Sequence, residues 1–96
     1  MDTMNIRGSA GVDDLQELRN HKPIVGMKQL RKALLRGGAA RVYLALDADP
    51  AVTMPLAELA QKSGIDTVWV GKMHDLGHAC NIDVGAAAAA TLAAED

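Results

Sequence analysis

The sequence predicts a single α/β domain, a small three-layer α/β/α sandwich. Three observations carry that expectation. Arg41-Val42-Tyr43-Leu44-Ala45-Leu46 is an apolar run without alternation, the pattern of a strand buried on both faces, with helices above and below the sheet. A second strand-like run, Asp66-Thr67-Val68-Trp69-Val70, follows after an interval that one helix fills, and such alternation is the mark of a layered α/β domain. The 96 residues suffice for one modest core and not for two.

Residues 1–11 hold two glycines and no periodicity and read as a flexible lead, so the domain is expected over 12–96. Residues 12–20 read as a helix, with Asp13, Asp14 and Glu17 in the early turns and Arg19 near the end, as the helix dipole prefers. Pro23 ends it, because it excludes the helical region for Lys22. Ile24-Val25 is a short extended piece.

A second helix lies between Gly26 and the pair Gly37-Gly38, with Met27, Leu30 and Leu34 on one arc. At about 100° per residue, Lys28, Lys32 and Arg36 form a ridge at i, i+4 and i+8. Gln29 lies beside the ridge and Arg31 on the other flank, while periodicity does not place Leu35. After the first strand, Asp47-Ala48-Asp49-Pro50 signals a turn and a helix start. The helix reaches Lys62 with Leu56, Leu59 and Ala60 inward, Thr53-Met54-Pro55 offering an alternative start and Ser63-Gly64 a stop. Residues 72–80 read as a short helix interrupted by Gly77. Residues 84–92 admit two readings. Five consecutive alanines, 86–90, have the highest helix propensity available, yet the sheet is otherwise short of a strand and Val84-Gly85 opens like one.

Composition narrows the function. With no Phe, one Tyr and one Trp, stacking of bases on aromatic rings is almost closed to this chain. A lone cysteine, Cys80, allows no internal disulfide and suits a reducing cytoplasm. The N-terminal residues lack the apolar run of a signal peptide, and the longest apolar tract, residues 84–94, is too short to span a bilayer. The net charge is −2, but it is unevenly spread: Arg19, Lys22, Lys28, Arg31, Lys32, Arg36 and Arg41 fall in one stretch without an acid. The remainder carries three basic residues against all twelve acidic ones. Such a bipolar chain offers one face to polyanions and repels them elsewhere. The helix start at Gly26 adds unpaired amides and the positive end of the dipole; the plainer account of the ridge is a solvated helix face.

Other candidate chemistry has simpler explanations. His74 and His78 share a helix face in His74-Asp75-Leu76-Gly77-His78. The zinc-protease pattern needs Glu after the first His and a third ligand, whereas Asp75 stands there and Cys80 falls on another face. These histidines read as exposed surface residues. Asp47 and Asp49 at a strand's end could hold Mg²⁺ or take a phosphoryl group, but Asp49 reads more simply as the cap of the helix at Pro50. No Gly-rich phosphate loop follows a strand. The expectation is a protein with no catalytic residues, metal, cofactor or small-molecule substrate.

Three blocks, Gly26-x-Lys28-Gln29-x-x-Lys32-Ala33-Leu34, Leu46-Asp47-Ala48-Asp49-Pro50 and Leu76-Gly77-x-Ala79-Cys80-x-Ile82-Asp83-Val84-Gly85-Ala86-Ala87, resemble the kink-turn-binding ribosomal protein family. This is the L-seven-Ae/L-thirty-e group, and the bacterial YbxF/YlxQ-like branch is most similar. The resemblance runs from about residue 12 to 92. It implies an α/β/α sandwich around a small mixed sheet of about four strands, with the segment after Val84 a strand.

It also implies binding to kink-turns, sharply bent RNA duplexes with tandem sheared G·A pairs, in ribosomal RNA or riboswitch-like RNA. By position, Gly26, Lys28, Gln29, Arg31 and Lys32 fall on the RNA-contacting helix start, and Ile82, Asp83 and Val84 on a second contact loop that packs against unpaired bases. Three positions depart from the common pattern: Lys28-Gln29 where archaeal and eukaryotic members carry Asn-Glu, Met73 in place of a lysine, and Asn81 in place of glycine. The expectation is a cytoplasmic, monomeric RNA-binding protein, with a protein-interaction module on the same fold as the alternative.

Overall fold

Strand β1 (Ala39–Ala45) is the centre of a three-stranded mixed sheet of order β2-β1-β3 in the computed structural model. It pairs in parallel with β2 (Asp66–Val70), Arg41 opposite Asp66 through Ala45 opposite Val70. On its other side β3 (Ala88–Leu92) runs antiparallel, with Tyr43 opposite Ala89 and Leu44 opposite Ala88. Four helices complete the described residues, 12–20 and 22–92: α1 (Val12–Asn20), α2 (Met27–Arg36), α3 (Pro50–Lys62) and α4 (Met73–Ala79). The expected flexible lead, residues 1–11, lies outside them.

The unalternating run in β1 meets helices on both faces. Val42, Tyr43, Leu44 and Ala45 are fully buried, and because successive strand side chains point to opposite faces, they divide between two cores. Tyr43 and Ala45 join Leu18 of α1 and Leu76 and Ala79 of α4. Val42 and Leu44 join Leu30, Ala33 and Leu34 of α2 and Leu56 and Ala60 of α3.

Four strands were expected and three form among the described residues. The Ile24-Val25 piece, expected as extended chain, makes a single antiparallel bridge: Ile24 donates to the Ala90 carbonyl at 2.8 Å and accepts from the Ala90 amide at 3.0 Å. Pro23, which has no N–H, precedes it, and α2 begins three residues after it, so no room is left for a ladder.

The alanine tract resolves as strand, starting at Ala88 and not at Val84. Ala88, Ala89 and Ala90 are almost wholly buried against both cores. Burial between helices on both faces outweighs the helix propensity of alanine, which is worth only a few tenths of a kcal/mol per residue. Gly77 does not interrupt its helix either: α4 passes through it, and the buried glycine serves a contact described below.

The remaining helix ends follow local rules. Asp49 caps α3 by accepting from the Ala51 amide at 3.0 Å, so α3 starts at Pro50 and carries Pro55 inside it. Gly37, at φ 74°, closes α2, its N–H on Leu34 O at 3.2 Å and that of Gly38 on Ala33 O at 2.9 Å. That pair is the Schellman arrangement, and it needs a left-handed residue. No helix among the described residues is long and apolar enough to cross a membrane.

Candidate nucleic-acid interface

Helix α2 starts without a side-chain cap. Gly26 holds an extended conformation, φ −68° and ψ 130°, with its carbonyl on the Leu30 amide at 2.8 Å. Having no side chain, it leaves the first amides of α2 open to an incoming anion, and the dipole adds attraction there. Lys28, Gln29, Arg31 and Lys32 are all exposed, while Leu30, Ala33 and Leu34 bury the opposite stripe. Met27, expected on the buried arc, remains 41% exposed, and Leu35, which periodicity left unplaced, is 69% exposed.

The sheet decides which other residues share this end. Because Ile24 pairs antiparallel with Ala90, the chain from Ile24 to Gly26 runs toward Ala88. Ala88 lies opposite Leu44, one residue before β1 ends. The start of α2, the turn after β1, the turn after β2 and residues 81–87 leading into β3 therefore gather at the carboxyl end of the two parallel strands. That is where open α/β sheets place their ligands. Arg36, at the far end of α2, lies roughly 13 Å along the axis from Met27 at 1.5 Å per residue. The cationic ridge is thus longer than the site.

Residues 81–85 are shaped by α4. Asn81 is left-handed at φ 67°, a conformation asparagine tolerates better than most residues. Its N–H donates to His78 O at 3.0 Å and the Ile82 N–H to Gly77 O at 3.1 Å, a second Schellman closure. A Cβ on Gly77 would collide with the Val84 carbonyl, so glycine lets the loop cross α4. Ile82 turns partly inward onto the core of α1 and α4, which Val25 also touches. Asp83 and Val84 are exposed, Val84 by 69%. Of the two apolar side chains expected to meet bases, only Val84 is fully presented.

The other candidates find structural partners. His78 Nε2 accepts from Arg19 at 3.3 Å, joining α4 to α1, and His74 is exposed. No group of three potential metal-binding side chains occurs among the described residues. Asp49 caps α3, and Asp47 Oδ1 accepts from the Met73 amide at 2.8 Å. Burial drives the Cys80 thiol up to about 11, so it is protonated and unreactive at neutral pH. Two features escaped the sequence. One is the Asp47 bond, which joins residues 26 apart and leaves no local signal. The other is a groove of about 830 Å³ between α2 and α3, lined by Leu35, Val52 and Pro55 beside Lys28, Arg31 and Lys32; the unplaced Leu35 was its only trace.

Comparison with known proteins identifies the family of the chain. The model of the ribosomal protein L7Ae/L30e/S12e/Gadd45 family matches residues 11–96. The chain belongs to that family. Among its members, a Bacillus pumilus protein named "RNA-binding protein" is 48% identical over 69 residues, covering 72% of this chain and 84% of its own. The large ribosomal subunit protein eL8 of Halobacterium salinarum is 43% identical over 72 residues, covering 74% of this chain and 60% of its own. The solved structure of a Giardia lamblia 15.5kD RNA binding protein superposes with a TM-score of 0.76 at 26% identity, over 95% of this chain and 85% of that one. The earlier resemblance to the family therefore holds over the whole described domain.

Proposed function

We propose that this protein is a non-enzymatic, cytoplasmic RNA-binding protein that recognises kink-turn RNA and stabilises its bent form. The observation that carries the reading is the uncapped start of α2, with Lys28, Gln29 and Lys32 exposed, at the same end of the sheet as residues 81–85. Family membership and relatives named RNA-binding proteins support it.

Each residue type suits its task. Lys28 and Gln29 donate to major-groove base edges of the sheared G·A pairs, where guanine presents O6 and N7. The open amides after Gly26 accept the close approach of a phosphate. Arg31 and Lys32 neutralise phosphates on either side and release their counterions. Val84 packs on unpaired loop bases, Ile82 anchors the loop on the core of α1 and α4, and Asp83 accepts from base amino groups. Free RNA exchanges between extended and kinked forms, and a protein that binds only the kinked form shifts that population by its differential affinity.

The test is a titration with a short kink-turn duplex labelled at both ends for FRET, beside a control whose G·A pairs are converted to Watson–Crick pairs. Submicromolar binding with a FRET rise in the first duplex alone is the expected result. Equal response to both would sink the reading. It would instead favour a protein-interaction module, for which the groove between α2 and α3 and the 69% exposure of Leu35 speak.

A further inference from the structure

The recognition loop is held by a carboxylate outside it. Helix α4 begins after Lys72, which makes no side-chain capping bond. Its first amide, at Met73, donates instead to Asp47 Oδ1 at 2.8 Å, from the turn between β1 and α3. The Met73 carbonyl in turn accepts from the Ala86 amide at 3.0 Å, where the loop rejoins the sheet. Gly85 lies directly on Met73, since a Cβ on that glycine would stand 3.1 Å from the Met73 Cβ. The other end of the loop is fixed by the Ile82 amide on Gly77 O and the left-handed Asn81. Residues 81–85 are therefore tied to α4 at both ends, and α4 is tied to the sheet's end through Asp47.

We propose that Asp47 is a positioning residue for RNA recognition: by holding the Met73 amide it sets the height and shape of residues 81–85 before RNA arrives. The inference rests on the kink-turn reading above. Its physical content is preorganisation, because a loop already in its bound shape loses less freedom on binding. A carboxylate beside a polyanion is also an electrostatic disadvantage, which makes the role separable by substitution. Asparagine keeps an acceptor oxygen and removes the charge, whereas alanine removes both.

The experiment combines amide hydrogen exchange of the RNA-free protein with kink-turn titrations of the wild type, Asp47→Asn and Asp47→Ala. Each background is also combined with Val84→Ala or Lys28→Ala. Asp47→Ala is expected to speed exchange at Met73 and Ala86 and to weaken binding about tenfold. Asp47→Asn should bind as tightly as the wild type or tighter. Val84→Ala should cost several-fold in the wild type and little in Asp47→Ala, because a displaced loop has already lost that contact, while the cost of Lys28→Ala is the same in both.

A purely structural role would weaken binding without coupling to Val84, and additive losses would overturn the proposal. So would wild-type exchange and affinity in Asp47→Ala, or equal losses in Asp47→Asn and Asp47→Ala. If the wild type fails to bind the kink-turn at all, the functional reading falls and the RNA role of Asp47 with it. Faster exchange in Asp47→Ala would then still identify the carboxylate as the brace of the loop.

Discussion

Lys32 and Cys80 show how far a single side chain can be read. Lys32 sits one turn into α2, exposed beside the open helix start, and in the proposed reading its ammonium meets RNA as a point charge. Replacing it by Ala should weaken kink-turn binding and reduce the slope of log K against log salt by about one; titrations at several salt concentrations measure both, and an unchanged slope would remove Lys32 from the site. Cys80 makes the opposite case. Burial raises its thiol from 9.0 to about 11, so between those values the folded chain keeps a proton that the unfolded chain has lost. Its contribution to stability is intact below pH 9 and declines as the pH rises toward 11. Urea midpoints should therefore fall across that interval, more than in a Cys80→Ala variant. At pH 8, modification by a thiol reagent should wait on unfolding.

At the scale of elements, α4 and β3 depart most from their local signals. Glycine inside a helix costs about 1 kcal/mol relative to alanine, so Gly77→Ala would stabilise an isolated α4. In the folded protein the added Cβ meets the Val84 carbonyl, and moving that backbone costs about 1–3 kcal/mol. Gly77→Ala should therefore unfold at lower urea than the wild type and bind RNA less tightly, since it displaces residues 81–85. Unchanged stability and binding would mean that the loop does not rest on α4 in solution. Strand β3 illustrates the same competition. Its alanines favour a helix in isolation and a strand between two helical layers, because Ala89 opposite Tyr43 and Ala88 opposite Leu44 leave space for the larger side chains.

At the scale of the whole molecule, charge and topology act together. The seven basic residues between Arg19 and Arg41 are free of acids, and twelve acids are spread over the rest of a chain of net charge −2. Only part of that basic stretch reaches the proposed binding end of the sheet, since Arg36 lies at the far end of α2. The footprint on RNA should be small, with a slope of log K against log salt of about −2 to −4, corresponding to a few phosphate contacts at 0.7–0.9 per contact. Affinities measured from low to moderate salt give the slope. A value near −8 would require cationic contacts well beyond the start of α2.

What the sequence determined by itself is what neighbours along the chain can enforce. The bounds of α1 and α2, the Asp49 cap of α3, the stop at Ser63 and the two-faced burial of β1 all follow from residues within a few positions of one another. The basic helix start was legible for the same reason: spacing on one helix fixes which side chains share a face. Tertiary structure decided what depends on partners far away in sequence. It made a strand of the alanine tract, joined the extended Ile24-Val25 piece to that strand by one bridge, carried α4 through Gly77 and turned Ile82 partly inward. It also sent Asp47 to the first amide of α4. These outcomes rest on packing and on hydrogen bonds between distant segments, and a local propensity of a few tenths of a kcal/mol per residue gives way when burial between two layers weighs against it.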